Sequence, residues 1–208
     1  MPFRKILLIG LLAFLTTNVS LAGKPLEHPA PGTTLVRFAE LDPGVYKGSK
    51  PKSDADFRFL QSKRIKYIVQ VRFLPFLSGK EEKQARAYGV TLISVPMNAS
   101  TFQPSEKHVD KILALLHDPC HQPIYVHCDI GRDRTSLVAT LYKLYFDRLP
   151  KQDAFQTMLD FGFSNQWTLT GLKRYLNDHL TEPASLTSLV PSCRGAVAEE
   201  NTRKVSDR

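Results

Sequence analysis

Cys128 and Arg134 are separated by five residues in the run His127-Cys128-Asp129-Ile130-Gly131-Arg132-Asp133-Arg134-Thr135-Ser136. A thiolate, not a thiol, can attack phosphorus. A strand pattern over Pro123 to His127 leads directly into the cysteine, and a helical pattern follows the arginine. At such a junction the backbone N–H groups of Asp129, Ile130, Gly131, Arg132, Asp133 and Arg134 can curl around a phosphate, with positive potential from the helix N-terminus. The same field favours the Cys128 thiolate. Gly131 permits a loop conformation that a side chain would hinder. Arg134 can grip two phosphate oxygens through its planar fork, matching the spread charge of a transition state. The Thr135 hydroxyl can donate to the sulfur and ease its departure. His127 is expected to order the loop by hydrogen bonding rather than to act as a base.

His127-Cys128, Arg134 and Thr135 at these spacings resemble the phosphate-binding loop of the cysteine-dependent phosphatases, the superfamily of tyrosine and dual-specificity phosphatases. Val45-Tyr46-Lys47-Gly48-Ser49-Lys50-Pro51 and Tyr67-Ile68-Val69-Gln70-Val71-Arg72 are similar to the opening of bacterial dual-specificity-type members. The element order resembles the superfamily from Tyr46 to Leu180. The resemblance implies a two-step displacement through a cysteinyl phosphate, with neither metal nor organic cofactor. It also implies a general acid, usually an Asp on a separate upstream loop. That loop should be Met97 to Pro104, which holds no Asp or Glu; Asn98 is its nearest polar candidate. Asp133 offers a replacement, since an Asp just before the loop arginine resembles phosphoinositide phosphatases and some bacterial multi-specific members. The alternative for Asp133 is a loop-stabilising hydrogen bond, and Asp129 is a rival acid at the pocket rim. Arg132 matches a position that often holds Lys in enzymes acting on phosphorylated inositols, where a second cation helps hold a polyanionic ring. Arg72 either points toward this pocket or is a surface cation at a sheet end.

Several elements must position this loop. Val45-Tyr46-Lys47, Tyr67 to Val71, Val90 to Val95 and Pro123 to His127 read as strands. Ser53 can cap a helix over Asp54 to Lys63, and Ser105 one over Glu106 to His117. Lys80 to Tyr88 reads as a polar helix stopped at Gly89. Helices follow over Thr135 to Phe146, Lys151 to Phe161 and Leu169 to Leu180, and Trp167 is expected in the core or at its rim. Strands alternating with helices, then helices alone, predict an α/β fold. With the resemblance, this becomes a central mixed, largely parallel sheet flanked by helices, dual-specificity-phosphatase-like. The expected division is a signal peptide at 1–22, an irregular lead-in at 23–41, a phosphatase domain at 42–181 and a mobile polar tail at 182–208.

The signal reading rests on Arg4 and Lys5, the apolar run Ile6 to Leu15, and the small-x-small site Ser20-Leu21-Ala22. It predicts a periplasmic or secreted chain beginning near Gly23, with no stable membrane anchor. Removing Arg4 and Lys5 lowers the formal net charge from +8 to +6. The remaining basic excess suits an anionic partner or is ordinary solubility charge. No run of Lys and Arg interleaved with aromatics points to nucleic acid. Three cysteines leave an odd thiol; Cys120 and Cys128 flank a strand too long to bridge, while Cys120–Cys193 is open. His117, Cys120 and His121 fit no standard zinc spacing, so no metal site is expected. Asn98-Ala99-Ser100 is a glycosylation sequon only in a eukaryotic source. The expected partner is therefore an anionic phosphorylated small molecule or a phosphoprotein. Export, basic character and loop type resemble the tyrosine-phosphatase-like phytases and favour inositol polyphosphates. The phytase loop, however, has Gly where Asp133 stands, and Ser136 replaces its common Gly. The alternatives are a tyrosine or dual-specificity protein phosphatase and a non-catalytic phosphate-binding module.

Overall fold

The computed structural model describes residues 29–74 and 78–181. The expected signal peptide, the polar tail and Cys193 lie outside them. The strands are β1 (Ala39–Asp42), β2 (Val45–Ser49), β3 (Tyr67–Arg72), β4 (Thr91–Pro96) and β5 (Ile124–Cys128). The helices are α1 (Asp54–Ser62), α2 (Gly79–Ala87), α3 (Glu106–His117), α4 (Asp133–Phe146), α5 (Ala154–Asp160) and α6 (Thr170–Thr181). One sheet has the order β1-β2-β5-β3-β4. Only the β1–β2 pair is antiparallel. This is the expected mixed, mostly parallel α/β architecture.

Alternation along the strands builds two cores. Ile68 and Tyr125 face one side, where Phe57 and Leu60 of α1 and Ala85 of α2 meet them. Val69, Val71 and Val126 face the other, against Leu113, Leu137, Leu141, Met158 and Leu172 from α3 to α6. All five residues of β5 are buried. Its carboxyl end thus opens at the middle of the sheet, where ligands of open α/β folds bind.

The lead-in is more ordered than its composition suggested. β1 begins at Ala39, and Leu35 is fully buried. Asp56 clamps this stretch to α1. Its carboxylate accepts from Thr34 N at 2.6 Å, Thr34 Oγ1 at 2.7 Å, Lys52 N at 2.8 Å and Ser53 N at 2.9 Å. Ser53 completes a capping box on Asp56 N. Ser105 precedes α3, but its hydroxyl makes no capping bond. The expected helix 151–161 is a 3-10 turn, Lys151–Asp153, continued by α5. A second 3-10 turn, Trp167–Leu169, precedes α6. Leu169 takes the inward place there, so Trp167 is 81% exposed rather than packed. No helix among the described residues is long and apolar enough to cross a membrane.

Candidate active site

Cys128 closes β5 opposite Ser49 of β2 and is buried. It is the free cysteine among the described residues, while Cys120 is disulfide-bonded. The next four residues turn back, and α4 starts at Asp133, two residues earlier than expected. Gly131 makes the turn possible. Its φ is +67°, and a Cβ there would come within 2.5 Å of the Gly48 oxygen and the Ser49 nitrogen. Gly48 is constrained by a side chain instead, because a Cβ would collide with the Tyr125 hydroxyl. That hydroxyl donates to Ser49 O at 2.6 Å. Lys50 N donates to Asp129 O at 3.3 Å. Arg37 Nη1 donates to Ile130 O at 3.1 Å. The loop is thus seated on β2 and held from the lead-in.

His127 is fully buried. Nδ1 lies 3.0 Å from Cys128 O, and Nε2 lies 2.7 Å from Glu81 Oε1. The ring is thus held from both sides, with Glu81 as a partner the sequence did not reveal. Glu81 also meets Lys50 Nζ at 3.2 Å and accepts from Gln70 Nε2. Burial alone would raise the Glu81 carboxyl. Hydrogen bonds and charge from His127 and Lys50 outweigh it and hold the group below its ordinary value. Gln70 Oε1 accepts from Ser78 and from Ser94, the latter at 2.9 Å. A buried polar network therefore backs Cys128.

Arg134 Nε donates to Met97 O at 3.0 Å, which leaves its two Nη groups for other partners. Thr135 Oγ1 is buried without a hydrogen-bond partner among the described residues, so the expected bond to sulfur is not formed. Arg72 turns toward the loop, with Nη2 3.6 Å from Asp129 Oδ1. Asp129 and Ile130 are exposed at the rim. Asp133 Oδ1 accepts from Ser164 N at 2.8 Å and Ser164 Oγ at 2.7 Å. Its Oδ2 lies 3.6 Å from Arg132 Nε. The loop-stabilising bond is thus present, made by one oxygen. Asn98 Oδ1 accepts from Ser100 N at 2.9 Å, a local turn.

Lys47 is a second residue that sequence reading passed over. It is 2% exposed, yet Nζ reaches Phe161 O at 2.9 Å and stands 5.2 Å from the Phe161 ring centre. Burial pushes its pKa down to about 8, against a raising influence of Cys128 and a lowering one of Arg37. Ser136 Oγ donates to the same carbonyl at 2.8 Å. A lysine amid apolar strand residues was the available signal. Among the described residues no His, Cys, Asp and Glu group could hold a metal. His121 instead pairs with Asp118 at 2.9 Å, and His117 stacks on Phe146.

The chain is 22% identical over 142 residues to the dual specificity protein phosphatase TpbA of Pseudomonas aeruginosa. That alignment covers 68% of this chain and 62% of the relative's length. The catalytic core of the Saccharomyces cerevisiae PP-IP phosphatase SIW14, solved with citrate, superposes with a TM-score of 0.57 at 21% identity. It covers 74% of this chain and 94% of that one. TpbA solved with pTyr gives 0.56 at 20% identity, covering 78% and 91%. PTPMT1 solved with PI(5)P gives 0.53 at 14%, covering 69% and 96%. These likenesses show the fold. The family model described as "DSP-PTPase phosphatase fused to NAD+ Kinase" matches residues 37–170, and the chain belongs to that family of dual-specificity-type phosphatases.

Proposed function

We propose that this protein is an exported cysteine-dependent phosphatase that hydrolyses phosphate monoesters, with inositol polyphosphates as favoured substrates. One observation carries the reading. The free, buried Cys128 lies beneath a loop whose Gly131 is pressed onto β2 and around which Arg37, Arg72, Arg132 and Arg134 gather. Such a nest suits a dianionic phosphate, and the extra cations suit a substrate carrying more than one.

In the first step the Cys128 sulfur attacks phosphorus. An S–P bond forms, the P–O ester bond breaks, and the leaving oxygen takes a proton from Asp133. Oδ1 being tethered to Ser164, Oδ2 is the oxygen assigned to that proton. In the second step water attacks phosphorus and returns a proton to Asp133. The S–P bond then breaks and restores the thiolate. Backbone N–H groups and Arg134 stabilise the charge in both steps. Export draws support from Arg4, Lys5 and the apolar run Ile6 to Leu15.

A second reading, a tyrosine-phosphorylated protein as substrate, is favoured by different residues. Phe73, Phe102, Ile130 and Trp167 are large, apolar and exposed, and the first three follow β3, β4 and β5. An aromatic phosphoester within a peptide would suit such a rim.

Phosphate release from inositol hexakisphosphate and from a phosphotyrosine peptide, beside Cys128→Ser, decides between them. Release from the inositol compound, lost in the variant, is the expected result. Preference for the peptide selects the second reading. Binding of either compound without turnover makes the protein a phosphate-binding module instead. Rapid quench with labelled phosphate should place the label on Cys128.

A further inference from the structure

A buried ammonium group is costly unless an anion meets it. Lys47 is almost fully buried, and no carboxylate lies within ion-pair distance of its Nζ among the described residues. Its direct partners are a neutral carbonyl, Phe161 O, and the face of the Phe161 ring. Both can orient a cation, but neither neutralises it. Arg37 nearby adds repulsion. The one anion that favours the charged lysine is Cys128 as a thiolate.

The position explains the pairing. β2 lies beside β5, with Lys47 opposite Val126 and Ser49 opposite Cys128. Lys47 therefore enters from the strand that floors the phosphate loop. It shares the Phe161 carbonyl with Ser136, in the first turn of α4. Three residues on, Ser164 is bonded to Asp133 at the same helix end. The stretch Phe161–Ser164 is thus fastened to the head of α4 on one side and to Lys47 on the other.

We propose that Lys47 is the buried counter-ion of the Cys128 thiolate, and that its bond to Phe161 couples the charge state of the nucleophile to the stretch bracing the head of α4. Lys47 is a positioning residue in this scheme; it transfers no proton to substrate. Burial lowers the affinity of Lys47 for its proton, and a negative charge on Cys128 opposes that lowering. The proposal rests on the cysteine-dependent chemistry above.

Other charged or titratable groups surround the thiol. They are His127 and Tyr125 on β5, Arg72 on β3, Asp129 and Arg132 in the loop, Asp133 and Arg134 at the head of α4, and Arg37 in the lead-in. Lys47→Met and Lys47→Arg leave all of them in place. The test is the rate of Cys128 alkylation by iodoacetamide against pH, read at the Cys128 peptide of the mature chain. Thermal melts run alongside, as does phosphate release from both substrates. Lys47→Met should raise the alkylation midpoint by about one pH unit, slowing alkylation roughly tenfold below both midpoints. Lys47→Arg should restore most of that loss.

Coincident midpoints for wild type and a folded Lys47→Met would overturn the proposal, while wild-type phosphate release would leave the phosphatase reading standing. A wild-type thiol titrating near the ordinary value of about 8.5, with no phosphate release, would overturn both. Should Lys47→Met not fold, the coupling is read from the other side. In Cys128→Ser the Lys47 side chain, followed by NMR of labelled lysine, should titrate lower by a comparable amount. An unmoved Lys47 titration there sinks the pairing.

Discussion

Gly131 lies on the backbone of Gly48, so closely that a methyl group at position 131 would collide with it. The phosphate loop is shaped by a strand that contributes no side chain to that contact. Gly131→Ala therefore meets two obstacles, a left-handed φ and a backbone collision. Left-handed strain alone costs about 1–2 kcal/mol. The expected result is a lower melting temperature together with a loss of turnover of about 100-fold or more, because the N–H groups move off the phosphate. Wild-type turnover in Gly131→Ala would show that the loop is not held by this contact.

Asp133 is expected to act as acid through Oδ2 while Oδ1 holds Ser164. Asp133→Asn preserves an accepting oxygen for Ser164 but has no proton to give as an acid. Turnover of an alkyl phosphate should fall about 100-fold, and an activated aryl phosphate, whose leaving group needs no proton, should fall far less. Equal losses on the two substrates would assign Asp133 to the tether alone and return attention to Asp129.

Glu81 links stability to pH. Its carboxyl binds a proton less readily in the folded chain than at its ordinary value of 4.5. The stabilisation is full above the unfolded pKa and is lost as pH falls through the folded one. Glu81→Gln should cost about 1–3 kcal/mol near neutral pH, from the disturbed buried bonds to His127 and Lys50. It should also flatten the acid side of the stability profile, measured by denaturant unfolding between pH 6 and 3. An unchanged slope would remove Glu81 from the acid transition.

Arg132 tests the substrate. If it holds a second phosphate, Arg132→Ala should raise KM for inositol hexakisphosphate about tenfold and leave KM for a simple aryl phosphate nearly unchanged. A parallel rise for both would place Arg132 in the grip on the reacting phosphate.

The loop from Cys128 to Arg134 was legible because its chemistry is local. A thiol, a glycine, an arginine and a hydroxyl in one short run need only a strand before and a helix after. Glu81 was not, because α2 is polar along most of its length and nothing in its sequence marks the residue that turns inward. The tie between Asp133 and Ser164 spans 31 positions, and that between Arg37 and Ile130 spans 93. Such pairs are set by packing, which no local pattern encodes. The lead-in was misjudged for a related reason. β1 has four residues, too few for an alternating pattern, and it is held by β2, while Asp56 holds Thr34 ahead of it. The sequence places Trp167 in the core or at its rim, but Leu169 two residues later takes the inward place and leaves Trp167 81% exposed.

The seat of the loop on β2 also sets when the site can exist. Tyr125 reaches Ser49 across 76 positions of chain, and Gly131 meets Gly48 across a longer span. Closing loops of that size is slow and is rewarded only once the strands have paired. The run from Cys128 to Arg134 has no shape of its own before β2 docks against β5. A partly folded chain therefore lacks the seat that holds Cys128 beside Ser49, and the loop takes its final form late.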